Sequence, residues 1–246
     1  MKEVLYTIPL NDAFKADTEC PFCYIEDKLE QDTLDFVLGS CSSYMEADVR
    51  ATTDEEGFCR THFKKMYAYG NTLGNAWILK THYMKMRKEL DENIKRFSKN
   101  KVSIKDRLFN PASPKNNSMS QWIKDKEKSC YICKRLDETF SRYVATFFHM
   151  YKNDHDFINT VKNSKGFCLS HFGVLCEEAD KYFSDKEKDE FYPMMFALMK
   201  DNMSRLQEDV NWLVEKFNYQ NENEPWKNSR DAVQRGMQKL KGGIYG

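Results

Sequence analysis

The hexapeptide "GFCRTH" at Gly57–His62 occurs again as "GFCLSH" at Gly166–His171. In each copy a cysteine and a histidine stand three residues apart behind the same Gly-Phe pair. Side chains with this spacing lie on one face of a helix, where both can reach the same metal ion. The repeated hexapeptide therefore indicates a duplicated unit that offers two potential metal ligands in each copy.

A Cys-x-x-Cys pair stands upstream of each hexapeptide, as "CPFC" at 20–23 and as "CYIC" at 130–133. Three thiolates and one imidazole complete the tetrahedral shell of a structural zinc ion. We therefore predict two zinc ions per chain, each held within one half of the sequence. The first predicted site consists of Cys20, Cys23, Cys59 and His62. The second predicted site consists of Cys130, Cys133, Cys168 and His171.

Apolar residues recur every three or four positions around these motifs, which is typical of helices. Thr53 and Glu56 are spaced as a capping box, which predicts a helix start shortly before Phe58. A long amphipathic helix is predicted to close each half, and we expect its apolar face in the core. The apolar positions are Ile78, Leu79, His82, Tyr83, Met86, Leu90, Ile94 and Phe97 in the first half, and Phe196, Met199, Met203, Leu206, Val210, Leu213, Val214 and Phe217 in the second.

These patterns predict an all-α protein that is a tandem duplication of a helical unit, with each half organised around a Cys3His metal site. The predicted segments are a first repeat at 1–98, a basic linker at 99–121, a second repeat at 122–219 and a tail at 220–246. Pro111 and Pro114 prevent a continuous helix through the linker. The tail is expected to form a short helix with a loose end.

The composition favours a folded protein with reduced thiols. Apolar residues make up 41% of the 246 residues, and the formal net charge is zero. A neutral chain lacks the charge excess that is typical of nucleic-acid and anionic-membrane binders. The sequence shows neither a signal-peptide pattern nor a long uncharged apolar stretch. We therefore expect a cytoplasmic location, where repeated cysteines indicate metal binding more often than disulfides.

The remaining cysteines and histidines have no counterpart at matched positions in the other half. We interpret Cys41 and Cys176 as ordinary core thiols. His82 lies on an apolar helix face, and we interpret it and His149 as residues without a metal. His155, in "NDHDF", is expected in a solvated loop.

Two other uses of the same ligands stay open. A Cys3His set can hold an iron–sulfur cluster instead of a single tetrahedral ion. A Cys-x-x-Cys at a helix N-terminus can also serve a thiol–disulfide oxidoreductase. The oxidoreductase hypothesis has no surrounding βαβ pattern and leaves both hexapeptides unexplained. No nucleotide-binding, nucleophile-elbow or metalloprotease motif occurs in the sequence.

Three classes of function follow from these observations. The first is a non-catalytic zinc-stabilised protein that binds a macromolecule, with protein favoured over nucleic acid as the partner. The second is a redox or metal sensor in which oxidation of the thiolates releases the ion. The third is an enzyme with structural metals and its active site elsewhere. Candidate partner-binding surfaces are the acidic first segment at 1–60, the basic linker and the basic tail residues Lys227, Arg230, Arg235, Lys239 and Lys241.

The chain also resembles a known family. The motifs above, together with "LYTIPLNDAF" at 5–14 and "SYMEADVR" at 43–50, resemble a bacterial family of unknown function. That family is found chiefly in anaerobic Gram-positive bacteria and is sometimes labelled as an ABC-transporter substrate-binding protein. The resemblance implies that most of the chain is one unit, and it implies no established activity. The sequence lacks the paired α/β lobes that the transporter label requires.

Overall fold

The computed structural model describes residues 4–40, 43–99 and 118–243. These ranges contain helices and no strand, which confirms the predicted all-α class. Cys41 and most of the predicted linker, residues 100–117, lie outside the described residues. The helices are α1 (Val4–Lys15), α2 (Pro21–Leu38), α3 (Ala47–Glu56), α4 (Arg60–Ala68), α5 (Thr72–Lys99), α6 (Ser118–Lys128), α7 (Tyr131–Asn153), α8 (His155–Lys162), α9 (Leu169–Tyr182), α10 (Asp185–Glu215) and α11 (Ala232–Lys241).

Four of these helices begin at the cysteine motifs. Helices α2 and α7 start one residue after the first cysteine of each Cys-x-x-Cys, and Pro21 suits the first helical position of α2. Cys59 and Cys168 are the N-cap residues of α4 and α9. The predicted capping box at Thr53 was wrong, because Thr53 lies inside α3. All four motifs therefore place thiols at helix N-termini, where the helix dipole favours negative charge.

The two hexapeptides share a turn that needs glycine. Gly57 has φ of 62° and Gly166 has φ of 73°. Residues other than glycine are strained in this left-handed region, because their Cβ approaches the backbone. The glycine lets the chain turn sharply before Cys59 and Cys168, and the following phenylalanines, Phe58 and Phe167, are buried.

The described residues form two compact units. One contains Met1–Leu29 and Glu138–Gly246, and the other contains Glu30–Asp137. These units do not follow the sequential halves, because α2 and α7 each contribute residues to both. The bounds of the repeats, linker and tail stay a prediction about the sequence.

The unit of residues 1–29 and 138–246 has an aromatic core. Phe22, Phe147 and Phe167 are fully buried and contact one another edge to face, with ring centroids 5.1 to 5.9 Å apart. Such pairs stabilise a core beyond the free energy of their burial. The unit of residues 30–137 has a smaller core around Val37, Ile78 and Ile132.

Buried charges hold α11 in the first of these units. The carboxylate of Glu19 is 1% exposed and accepts a 2.6 Å hydrogen bond from Arg205. Lys239, also 1% exposed, lies 3.2 Å from the same carboxylate and donates to the backbone oxygen of Glu19 at 2.6 Å. Arg235 lies 2.9 Å from Asp209. The expectation that Lys239 presents its charge to a partner was therefore wrong, whereas Arg235 is 15% exposed and its role in partner binding stays a prediction.

The long helix α5 departs from its predicted burial. Ile78 is buried as expected, whereas Tyr83, Leu90, Ile94 and Phe97 are exposed in the described structure. Helical periodicity shows that these residues share a face, but it does not show what covers that face. No helix in the described ranges is both long and apolar enough to cross a membrane.

Candidate metal centres

The first cluster of potential ligands consists of Cys20, Cys23, Cys168 and His171. Cys20 and Cys23 come from the start of α2, and Cys168 and His171 come from the start of α9. All four side chains are buried. Their candidate ligand atoms lie within 4.8 Å of one another, so the group could hold a metal ion.

The second cluster consists of Cys59, His62, Cys130 and Cys133. Cys59 and His62 come from the start of α4, and Cys130 and Cys133 come from the start of α7. A backbone hydrogen bond of 2.9 Å from Tyr131 to the oxygen of Gly57 ties the two helix starts together. His62 and Cys130 are buried, whereas Cys59 and Cys133 are half-buried.

The pairing of motifs predicted from the sequence was wrong. Each cluster combines the Cys-x-x-Cys of one copy with the Cys-x-x-His of the other copy. Motif spacing identifies ligand types but is equally compatible with either pairing, because both copies offer the same ligands. Doubling a loop costs only about 0.6 kcal/mol of closure free energy. Bringing Cys23 and Cys168 together across 145 residues therefore adds only a small free-energy cost of loop closure.

One imidazole nitrogen faces three sulfur atoms in the first cluster. His171 Nδ1 lies 3.4 Å from the sulfur of Cys20, 3.5 Å from that of Cys23 and 3.2 Å from that of Cys168. A ring nitrogen carries either one proton or one lone pair, so it forms a single good hydrogen bond. Hydrogen bonding alone does not account for three sulfurs at these distances.

The second cluster repeats the same geometry. His62 Nδ1 lies 3.3 Å from the sulfur of Cys59, 3.2 Å from that of Cys130 and 3.4 Å from that of Cys133. With Zn–S bonds of about 2.3 Å and Zn–N bonds of about 2.0–2.1 Å, tetrahedral edges are roughly 3.5 Å for S···N and roughly 3.8 Å for S···S. The Sγ–Sγ distances are 3.7 Å for Cys23 and Cys168 and 3.9 Å for Cys59 and Cys133. Both clusters therefore have the dimensions of a tetrahedral shell.

A glutamate orients each imidazole from its other side. His171 Nε2 lies 3.2 Å from a carboxylate oxygen of Glu26, and His62 Nε2 lies 2.9 Å from one of Glu30. An Nε2–H that donates to a carboxylate leaves the Nδ1 lone pair facing the sulfurs, which is a common outer-shell arrangement of metal-binding histidines. Sequence reasoning missed both glutamates, because nothing distinguishes them from other charged residues of α2.

The neighbours of both histidines favour the charged form of the imidazole and raise its pKa. Burial lowers the pKa of His62, but hydrogen bonds to Cys130 and Glu30 outweigh it and raise the pKa to about 10. Burial also opposes protonation of His171, whereas Cys168, Cys20 and Glu26 raise its pKa to about 12. An environment that stabilises an imidazolium so strongly also attracts a divalent cation.

The two clusters differ in what covers them. In the first, the turn after α11 lies over the sulfurs, and a Cβ placed on Gly242 would be 3.4 Å from both Cys23 and Cys168 Sγ. The second cluster borders a pocket of about 640 Å³, whose wall includes Cys59, His82, Trp122 and Lys126.

The remaining cysteines and histidines of the described chain lie outside these groups. His82 donates from Nδ1 to the backbone oxygen of Asp54, at 3.1 Å. Cys176 is half-buried, and burial raises the pKa of its thiol. His149 is exposed. His155 is exposed but is the first residue of α8, so its predicted loop position was wrong.

Comparison with protein-family models gives a match over the whole length of the chain. The model of a family of unknown function, DUF6062, matches residues 1–246. The chain belongs to this family. The match confirms the resemblance to a domain of unknown function, and the DUF6062 description carries no activity. No curated protein and no solved structure matches the chain.

Proposed function

We propose that this protein is a cytoplasmic zinc protein in which two Cys3His centres act as structural crosslinks. The supporting observation is that one histidine Nδ1 faces three cysteine sulfurs at 3.2 to 3.5 Å in each cluster. Zinc matches both the soft thiolate donors and the tetrahedral dimensions. An iron–sulfur cluster contains several iron and sulfide atoms, and ligand atoms within 4.8 Å of one another favour a single ion instead.

The proposed centres are non-catalytic. Each would offer four protein ligands, and a closed tetrahedral shell leaves no position for a reactive water. The zinc ions would instead join helix starts, α2 with α9 in one unit and α4 with α7 in the other. Structural zinc contributes on the order of 10–16 kcal/mol in small peptides, which is comparable to the whole stability of a typical domain. The fold is therefore expected to depend on its metal.

We further propose that the metal-supported helices bind another macromolecule, with protein favoured over nucleic acid. The exposed apolar face of α5 supports a protein partner, since Tyr83 is 70% exposed and Phe97 is 51% exposed. Formal neutrality argues against nucleic acid, and so do the burial of Lys239 and the ion pair of Arg235 with Asp209, which neutralise two cations of the supposed basic tail.

Elemental analysis of the untagged protein, paired with an absorption spectrum, tests the metal assignment. Two zinc ions per chain in a colourless solution are expected. Iron with visible absorption bands would contradict the zinc assignment. For the partner, a complex that dissociates steeply as salt rises, together with bound nucleic acid, would contradict the preference for protein.

A thiol-based sensor is the second candidate function. The observation that favours it is the partial exposure of Cys59 and Cys133, because reactivity of cysteines follows access. An oxidoreductase that cycles a Cys-x-x-Cys disulfide is less well supported, since each such pair lies in a four-residue cluster with another cysteine and a histidine.

A further inference from the structure

The two clusters contain the same ligands but differ in access. In the first cluster Cys20 and Cys168 are 0% exposed, and the α11 turn at Gly242 lies over two of its sulfurs. In the second cluster two of the three cysteines, Cys59 and Cys133, are half-buried. The two sites therefore have the same ligand types, but the cysteines of the second site are more accessible to an oxidant in solution.

The pocket beside the second cluster leads to one particular cysteine. Its wall includes Cys59 but none of the other three residues of that cluster. At about 640 Å³ it admits a small solute easily. Cys59 is therefore the cysteine of the two clusters that is both half-buried and part of the wall of this pocket.

We propose that Cys59 is a peroxide-sensitive site and that its oxidation releases the ion of the second centre, an inference that rests on the proposed zinc. The Cys59 thiolate attacks one peroxide oxygen, the O–O bond breaks, and the sulfur becomes a sulfenic acid. The departing hydroxide takes a proton from solvent and forms water. Sulfur is oxidised by two electrons, and the peroxide is reduced by two.

Cys133 is positioned to complete the reaction. Its sulfur lies 3.9 Å from that of Cys59, and Cys133 is itself a half-buried residue. The Cys133 thiolate attacks the Cys59 sulfur, an S–S bond forms and the S–O bond of the sulfenic acid breaks. The sulfenic oxygen leaves as hydroxide, which takes a proton from solvent and becomes water. The disulfide removes two of four donors, so His62 and Cys130 alone retain the ion weakly. A thiol reductant reverses the disulfide and restores the site.

The first centre serves as an internal control. Its sulfurs of Cys23 and Cys168 lie 3.7 Å apart, about as close as those of Cys59 and Cys133. Proximity therefore favours a disulfide about equally in both centres, so a difference in access predicts which centre reacts first. The first centre should keep its zinc under oxidation that empties the second.

The test starts from the zinc-loaded full chain, treated with limiting hydrogen peroxide while a chromogenic chelator reports free zinc. We expect one of the two ions to leave first, with a Cys59–Cys133 disulfide found by peptide mass spectrometry, and zinc binding to return after thiol reduction. Simultaneous loss of both ions, or a first disulfide at Cys130–Cys133 or Cys23–Cys168, would overturn the proposal. A protein that holds no zinc before peroxide would instead contradict the proposed function.

Matched variants sharpen the result. Cys59→His keeps a zinc-binding donor and removes the reactive sulfur, and Cys168→His makes the same change in the first centre. With two ions confirmed in each variant, Cys59→His should abolish the early release, and Cys168→His should leave it unchanged. Early release that persists in Cys59→His would count against Cys59. If either variant fails to hold both ions, the order of zinc release and the identity of the first disulfide in the wild type decide whether the proposal stands.

Discussion

The sulfur of Cys23 lies 3.7 Å from that of Cys168, although 145 residues separate them in the sequence. The contact joins the Cys-x-x-Cys of the first copy to the Cys-x-x-His of the second. Zinc bound there would crosslink distant parts of the chain, so the two predicted repeats would not be independent zinc modules. The following predictions depend on this exchanged pairing and on the surroundings of each centre.

Removing the metal should destabilise the helices that meet at the centres. A strong zinc chelator is expected to lower the thermal midpoint and the cooperativity of unfolding, because zinc binding is coupled to folding. Circular dichroism during heating, with and without chelator, measures both. Unchanged melting after verified zinc removal would show that the apolar cores alone maintain the fold.

The outer-shell glutamates should tune metal affinity. Glu30→Ala removes the partner of His62 Nε2 and is expected to weaken zinc binding at the second centre about 10–100-fold. Glu26→Ala should have a smaller effect on the first centre, since the Glu26 side chain is 47% exposed against 16% for Glu30. Competition with a chelator of known affinity measures both. Asp27→Ala, an exposed change on the same helix, is the control and should leave affinity unchanged.

The buried lysine of α11 should be needed for stability. Lys239→Met leaves the buried Glu19 carboxylate with one fewer cation, and breaking such a pair costs about 3–5 kcal/mol. Urea unfolding of the zinc-loaded protein measures the loss. The exposed neighbour Lys241→Met should change the free energy of unfolding by less than about 0.5 kcal/mol. Equal effects of the two variants would contradict the structural role of Lys239.

A side chain at Gly57, two residues before Cys59, should destabilise the fold. Gly57 and Gly70 both have positive φ, so alanine at either costs about 1–2 kcal/mol in backbone strain. A Cβ at Gly57 would also lie 3.0 Å from the His82 ring, whereas nothing lies within 4 Å of one at Gly70. Gly57→Ala should therefore destabilise more than Gly70→Ala in urea unfolding. The reverse order would show that the His82 ring does not restrict this turn.

The sequence predicted the helical class and picked out the eight residues that the structure brings together. The signals for helices were local, as at Pro21, which suits the first position of α2. The cysteine and histidine ligands recurred with the same short spacing in both copies. Local signals did not give the pairing, because both copies offer interchangeable motifs. That choice depends on which helices pack together, as seen where Gly57 accepts a hydrogen bond from Tyr131.

Burial was the other property that periodicity did not determine. The α5 stripe at Tyr83 and Phe97 has the pattern of a core face and is nevertheless exposed. Lys239 stands in a segment whose composition is typical of a solvated tail, and it is nevertheless buried against Glu19. Amphipathic spacing reports which residues share a face, whereas the neighbour of that face is set by tertiary packing.

The most direct test of the exchanged pairing is cysteine alkylation in a variant that lacks one histidine. In zinc-loaded His171→Ala, compared with the wild type and mapped by peptide mass spectrometry, Cys20, Cys23 and Cys168 should become alkylated. Cys59, Cys130 and Cys133 should stay protected at the intact second centre, because their ligand His62 is unchanged. Joint alkylation of Cys130, Cys133 and Cys168, with Cys20, Cys23 and Cys59 protected, would contradict the account and restore a separate centre to each half.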